Sequence, residues 1–263
     1  MKLIISLVVY KTPVSIIQSL FECLLKNLAP VSYLVNIFDN ANDDFLREYC
    51  FKNNFNYYCV NKNIGFGRGH NYVISRTCQS GDVYLFINPD ILIDGSSVAK
   101  ILTLLESDSR FGLVSPKLVY PDGKAQNICR KLPSMIDLIG RRLIPAIFNH
   151  ESIDVSSLCS APFIHGACYF VKTEVINKIG GFDPRYFLYM EDLDLCRRIA
   201  EHYEVVYFPE VIAIHEHGQG SRKNIFLFLM HLISVIRYFN KWGWFFDKKK
   251  FQINAKERRL HRN

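Results

Sequence analysis

Four short stretches carry residues whose types and spacing suit chemistry. Asn88-Pro89-Asp90 follows the apolar run Val83–Ile87. A carboxylate just past a strand, helped by substrate phosphates, is a usual way to hold Mg2+ or Mn2+. The same tripeptide also makes an ordinary Asx turn. Glu191-Asp192-Leu193-Asp194 opens an expected helix that runs to Ala200. Acids suit a helix N-terminus, with Arg197 and Arg198 in its later turns. Alternatively, one of these carboxylates is a general base for a hydroxyl. His215-Glu216-His217 follows an expected strand, 205–214. A histidine beside a bound cation completes its shell or contacts a diphosphate. The spacing is not H-E-x-x-H, so a zinc protease is not indicated. Gly65-Phe66-Gly67-Arg68-Gly69 lies between a strand and a helix, where glycines admit a ligand to the backbone and a helix N-terminus favours anions. Its G-x-G-x-G spacing and its place after the third strand depart from the dinucleotide fingerprint. A tight loop without a ligand is the plain alternative.

The elements that must position these residues alternate. Apolar runs at 3–9, 34–38, 55–60 and 83–87 read as strands. Helical spacing follows each, over 14–28, 43–53, 68–78 and about 97–105, with Thr12 and then Ser96 or Ser97 as expected caps. Four strand–helix alternations predict an α/β fold with a mostly parallel central sheet flanked by helices. Ligands in such sheets sit beyond the carboxyl ends of the strands. Polar clusters stand there: Asp39-Asn40, Asn63-Ile64-Gly65 and Asn88-Pro89-Asp90. Residues 111–120 read as a further strand before the turn Pro121-Asp122-Gly123, and 130–160 carry no clear period.

Composition narrows the classes. Hydrophobic residues are 49% and charged residues 22%, which excludes a disordered chain. No apolar run reaches the ~18–20 residues of a spanning helix. The N-terminus reads as a strand and not as a signal peptide. Eight cysteines without a C-x-x-C pair fit a reducing cytoplasm. The net charge is +7, yet Arg222 to Asn263 holds eleven Lys and Arg against Asp247 and Glu257, a balance of +9. This tail also carries Trp242, Trp244, Phe245 and Phe246. Basic amphipathic helices of that kind suit a lipid headgroup region. A helix packed on the body, ending in a solvated basic segment, is the alternative. Nucleic acid is not expected, since the body has no matching basic face.

Together, Val8-Val9-Tyr10, Phe38-Asp39-Asn40, Asn63 through Asn71, Ile87 through Asp90, Ser115-Pro116-Lys117, Gly166-Ala167-Cys168, Gly180 through Asp183, Glu191 through Asp194, and His215 with Ser221 resemble a family-2 glycosyltransferase. The likeness is greatest to bacterial rhamnosyltransferases of O-antigen and polysaccharide assembly. The resemblance implies a GT-A fold over residues 1–221 and a membrane-associating tail over 222–263. It implies an inverting transfer of a sugar, rhamnose from dTDP-rhamnose by preference, to a saccharide on polyprenyl pyrophosphate. Asp192, with Glu191, is the implied catalytic pair. Tyr10, Asp39, Asn40, Asn63, Gly65, Phe66, Gly67, Asn71, Asn88 and Asp90 are implied to bind the nucleotide sugar. Asp90 and His215 would hold Mg2+ or Mn2+. Asn88 replaces the first acid of the family's D-x-D motif. The implied location is cytoplasmic, on the inner membrane face. A non-catalytic nucleotide-sugar-binding paralogue, or transfer of galactose, galactofuranose or glucose, stays open.

Overall fold

The computed structural model describes residues 1–77, 81–138, 157–216, 225–255 and 258–260. Strand β1 (Leu3–Val9) is buried along its whole length, as a run of Leu, Ile and Val requires when both faces of a sheet are covered. It lies between β2 (Tyr33–Asp39) and β4 (Val83–Ile87), parallel to both, and β3 (Asn56–Cys59) extends the parallel set beyond β2. Helices α1 (Val14–Leu25), α2 (Asp44–Lys52) and α3 (Phe66–Thr77) connect them. After β4 come the short β5 (Ile91–Leu92), α4 (Gly95–Ser107) and β6 (Phe111–Val119). The small strands β7 (Cys129–Arg130) and β9 (Phe163–Ile164) pair with each other. Strand β8 (Cys159–Ser160), β10 (Cys168–Lys172), α5 (Thr173–Ile179), α6 (Glu191–Ala200) and β11 (Glu204–His215) complete the centre. Among the described residues the order is β12 (Arg258–Arg259)-β8-β11-β6-β10-β4-β1-β2-β3, with β5 on β11, a sheet of ten strands. Strand β10 runs antiparallel to β4 and β6, and β11 is parallel to β6.

Register decides which residues meet. Val9 pairs with Asp39, Asp39 with Cys59, and Leu7 with Ile87, so β1 to β4 end along one edge. Cys168 pairs with Ile87, which puts the residues entering β10 at that edge too. His215 pairs with Ile91, so the end of β11 meets the chain just beyond Asp90.

Local details differ from the sequence reading. Asp94, not Ser96 or Ser97, caps α4; it accepts from both serine N–H groups, and its carboxyl is pulled down to about 2, first by the Ser96 hydroxyl. Helix α1 starts after Pro13 without a side-chain cap. Helix α3 starts at Phe66, so part of the glycine-rich stretch forms its first turn.

The C-terminal segment is packed on the body in its described parts. These are α7 (Ile225–Trp242), α8 (Lys248–Asn254) and β12 (Arg258–Arg259), the last paired with β8. Arg197, 1% exposed, makes a two-pronged pair with Asp247 at 2.6 and 2.8 Å and stacks over Trp242. Lys241 reaches Asp183 at 2.7 Å and Asp194 at 2.6 Å. The Trp242 indole donates to the same Asp194 oxygen as Lys241. These contacts engage the helix that carries Glu191 and Asp192. Ser221, His217 and the boundary between 221 and 222 lie outside the described residues.

Candidate functional site

Asp90 leaves β4 through a turn in which Ile91 N–H donates to the Asn88 carbonyl. Its own carbonyl accepts from Glu216 N–H at 3.1 Å, which fixes it beside the end of β11. There His215 Nε2 stands 3.5 Å from Asp90 Oδ2. The imidazole is buried, while the Asp90 side chain keeps 30% of its surface open. No group of three His, Cys, Asp or Glu forms a cage among the described residues. One carboxylate and one imidazole nevertheless fit Mg2+ or Mn2+, which take their remaining oxygens from phosphate and water. The chemistry of this donor pair therefore suits the ion.

Asp192 stands in the first turn of α6. Tyr189 and Met190, just before it, both adopt left-handed φ, at +67° and +66°. Strain of this kind persists where the surroundings enforce it, and it clusters at working sites. Asp192 Oδ1 accepts its neighbour Leu193 N–H, and Oδ2 accepts Gly166 N–H at 3.0 Å. Gly166 is required by close approach, because a Cβ there would stand 2.7 Å from Asp192 Cβ. The next residue, Ala167, accepts Asn88 N–H at 2.9 Å. The segment 165–167 thus ties the turn before Asp90 to the start of the acidic helix.

His165 lies in the same segment, its N–H bonded to the Ile128 carbonyl at 2.9 Å. Burial lowers its pKa; the Asp192 charge opposes this, and Arg130 and His215 add to it. Sequence reasoning singled out neither His165 nor Arg130, because each is one polar residue in an irregular stretch. Glu191 differs sharply from Asp192. It is buried, and burial, then the Asp192 charge, raises its carboxyl to about 8. Its Oε2 has no hydrogen-bond partner among the described residues. Glu191 is thus held as a neutral acid, unlike a solvent-facing base.

The other candidates gather at the ends of β1 to β3. Tyr10 is exposed, with the Lys11 ammonium 5.4 Å from its ring centre. Asp39 is buried and holds its own loop, accepting from Ala41 N–H, Asp43 N–H and the Tyr57 hydroxyl. Asn40 clamps the glycine loop, accepting Ile64 N–H at 2.8 Å, and Asn63 accepts Gly65 N–H. Gly65 has φ +91° and a Cβ there would collide with the Phe187 carbonyl, so only glycine fits. Phe66 lies edge-on to His70, and Gly67 is packed under Phe182. Asn71 grips the Phe182 backbone through both ends of its amide, Nδ2 donating to the carbonyl at 2.7 Å and Oδ1 accepting the N–H at 2.8 Å. Asp39, Asn40 and Asn71 therefore shape the loops with the atoms that the sequence reading turned toward a ligand. His70, in the same motif, is a core residue: burial lowers it to about 3, and Ser6 bonds its Nδ1. A groove of about 630 Å³ opens between Lys11 and Lys52, and none of the candidate residues lines it.

No family model matches this chain. An N-acetylglucosaminyl-diphospho-decaprenol L-rhamnosyltransferase of Mycobacterium tuberculosis is 26% identical over 181 residues, which cover 62% of this chain and 59% of that protein. Rhamnosyltransferase WbbL of Escherichia coli is 27% identical over 219 residues, covering 78% and 81%. The mannosyltransferase PcManGT from Pyrobaculum calidifontis, solved with GDP-Man and Mn2+, superposes with a TM-score of 0.63 at 15% identity, covering 97% and 68%. This chain has the GT-A fold and resembles the family-2 rhamnosyltransferases. It spans 59% of the length of the mycobacterial relative. In this fold the edge built from the ends of β1, β2, β4 and β11 is the face that carries Tyr10, Asp39, Asp90 and His215.

Proposed function

We propose that this chain is an inverting glycosyltransferase. It moves a sugar, rhamnose from dTDP-rhamnose, onto a saccharide carried by polyprenyl pyrophosphate in cell-surface polysaccharide assembly. The observation that carries the reading is the 165–167 segment. It hydrogen-bonds Asp192 through Gly166 and the Asp90 turn through Ala167, so the two acids belong to one edge of the sheet. The relatives' names support the sugar and the lipid carrier.

Asp192 is the base. The hydrogen bonds from Gly166 and Leu193 orient its carboxylate. It takes the proton of an acceptor hydroxyl as that oxygen attacks the anomeric carbon. A single displacement from the far side inverts that centre without a covalent enzyme intermediate. Asp90 and His215 would hold Mg2+ or Mn2+, and such an ion, when bound, neutralises charge growing on a departing diphosphate. Tyr10 offers an exposed ring for a base, and the Asn63–Gly67 turn, clamped by Asn40, is its counterpart for the rest of the nucleotide.

The C-terminal helices fit a membrane surface. Ile225, Leu229, Leu232, Ile233 and Ile236 share one exposed face of α7 at helical spacing. Phe245, Phe246 and Phe251 are also exposed, beside Lys248 and Lys249. No helix among the described residues is long and apolar enough to cross a membrane. Surface contact on the inner face, next to a lipid-linked acceptor, matches this pattern.

A donor screen tests the reading. Purified protein is incubated with several sugar nucleotides and Mg2+ or Mn2+, and slow release of nucleoside diphosphate is measured. Release from dTDP-rhamnose above the others is expected. Release from another donor alone would overturn the sugar assignment. Silence with every donor, with and without a polyprenyl-linked acceptor, would favour a non-catalytic binding protein.

A further inference from the structure

Gln126 lies just past the Pro121-Asp122-Gly123 turn, anchored by its own N–H to the Leu118 carbonyl at 2.8 Å. Its buried side chain crosses to β11 and meets one residue at two points. Nε2 donates to the His215 carbonyl at 2.9 Å. Oε1 lies 2.8 Å from His215 Nδ1.

The chemistry of these groups leaves one arrangement. A backbone carbonyl only accepts, so the amide nitrogen must face it. The amide oxygen is then the atom on the ring. An amide oxygen also only accepts, so Nδ1 must carry the hydrogen. The form of the ring that can bind a cation has a single N–H, which is then at Nδ1 and leaves the lone pair on Nε2. That nitrogen is the one 3.5 Å from Asp90 Oδ2.

We propose that Gln126 is a positioning residue that holds His215 in the Nδ1–H form, so that the Nε2 lone pair and the Asp90 carboxylate together make a seat for one divalent cation. The inference rests on the role given above to Asp90 and His215. A ligating histidine is ordinarily oriented through its other nitrogen, and loss of that partner typically costs ~10–100-fold in metal affinity. Gln126 does more than accept one hydrogen. By also holding the His215 carbonyl, it ties the ring to its own backbone and opposes rotation.

The test begins with the wild-type chain. With 15N-labelled histidine, two-bond nitrogen–proton spectra distinguish the tautomers, and the His215 signals are those missing from His215→Asn. The expected form is Nδ1–H at pH 8. A spectrum showing Nε2–H, or hydrogen on both nitrogens, overturns the proposal without any Gln126 variant. Gln126→Leu is expected to lose the fixed tautomer while still folding, as a cooperative thermal transition will show. Its affinity for Mn2+ alone, read by water-proton relaxation, should fall about 10–100-fold. An unchanged tautomer together with unchanged Mn2+ affinity would overturn the positioning role. A wild-type chain that shows Nδ1–H yet binds no Mn2+ would remove the cation seat and leave the tautomer assignment standing. That outcome separates failure of the cation reading from failure of the Gln126 assignment.

Discussion

Gly166 N–H donates to Asp192 Oδ2 at 3.0 Å, and a methyl group on Gly166 would stand 2.7 Å from Asp192 Cβ. The glycine both orients the proposed base and leaves room for it. Asp192→Asn should lower sugar transfer ~10²–10⁴-fold, the usual contribution of a placed base. Gly166→Ala should lower it by up to about 10²-fold by displacing the same carboxylate. Donor affinity, measured by calorimetry, should hold in both. A parallel loss of donor binding would show that these residues serve the nucleotide and not the proton transfer.

Asp90 is the proposed carboxylate ligand of the cation. Asp90→Asn keeps the size of the side chain and removes its charge. Mn2+-dependent binding of the nucleotide should weaken by on the order of tenfold or more. Binding measured without a divalent ion should change little. Equal losses with and without Mn2+ would contradict a cation role.

Glu191 makes stability depend on pH. Its carboxyl is raised by burial, then by Asp192, from 4.5 to about 8. Between those values the folded chain keeps a proton that the unfolded chain has released. Stability from this group is therefore full below about 4.5 and declines by ~1.4 kcal/mol per pH unit as pH rises toward about 8. Glu191→Gln stays neutral throughout. Its stability relative to wild type should grow from pH 5 to pH 8 in urea titrations, and a constant difference across that range would exclude the buried acid.

Arg197 and Asp247 join α6 to the C-terminal segment through a pair that is nearly out of solvent. Removing one partner of a buried pair leaves an uncompensated charge, at a cost of about 3–5 kcal/mol. Arg197→Met and Asp247→Asn should each lower the urea midpoint accordingly. Deletion of 222–263 would leave Arg197 and Asp194 without these partners, so it should destabilise the whole domain.

Membrane contact is better tested at the surface. Phe245 and Phe246 are 80% and 96% exposed. Replacing both, with Phe251, by Ser should reduce flotation with anionic liposomes and leave thermal unfolding within ~1 kcal/mol, as for substitutions outside the core. Unchanged flotation would count against a lipid-facing edge there.

Much of the architecture is legible in local pattern. The all-apolar run of β1 and the helical spacing after each early strand follow from which side chains must leave water. The same logic marks the strand ends at Asp39, Asn63 and Asp90, because polar residues collect where buried strands stop. Other features escape such reading. Strands β8, β9 and β10 are only two to five residues long and gain their partners from distant chain. Asn71 looks like a ligand contact in sequence, but its amide meets Phe182, 111 positions away.

The sequence by itself determined an alternating α/β chain, the acids at Asp90 and Asp192, and the basic aromatic C-terminus, because these depend on composition and on neighbours within a few residues. Tertiary structure alone decided that Gly166 holds Asp192, that Gln126 grips His215 across 89 positions, and that Arg197 docks the C-terminal segment through Asp247. The physical reason is that hydrogen bonds and buried charges are satisfied by whatever the packed backbone brings within about 3 Å, and no local spacing encodes that choice.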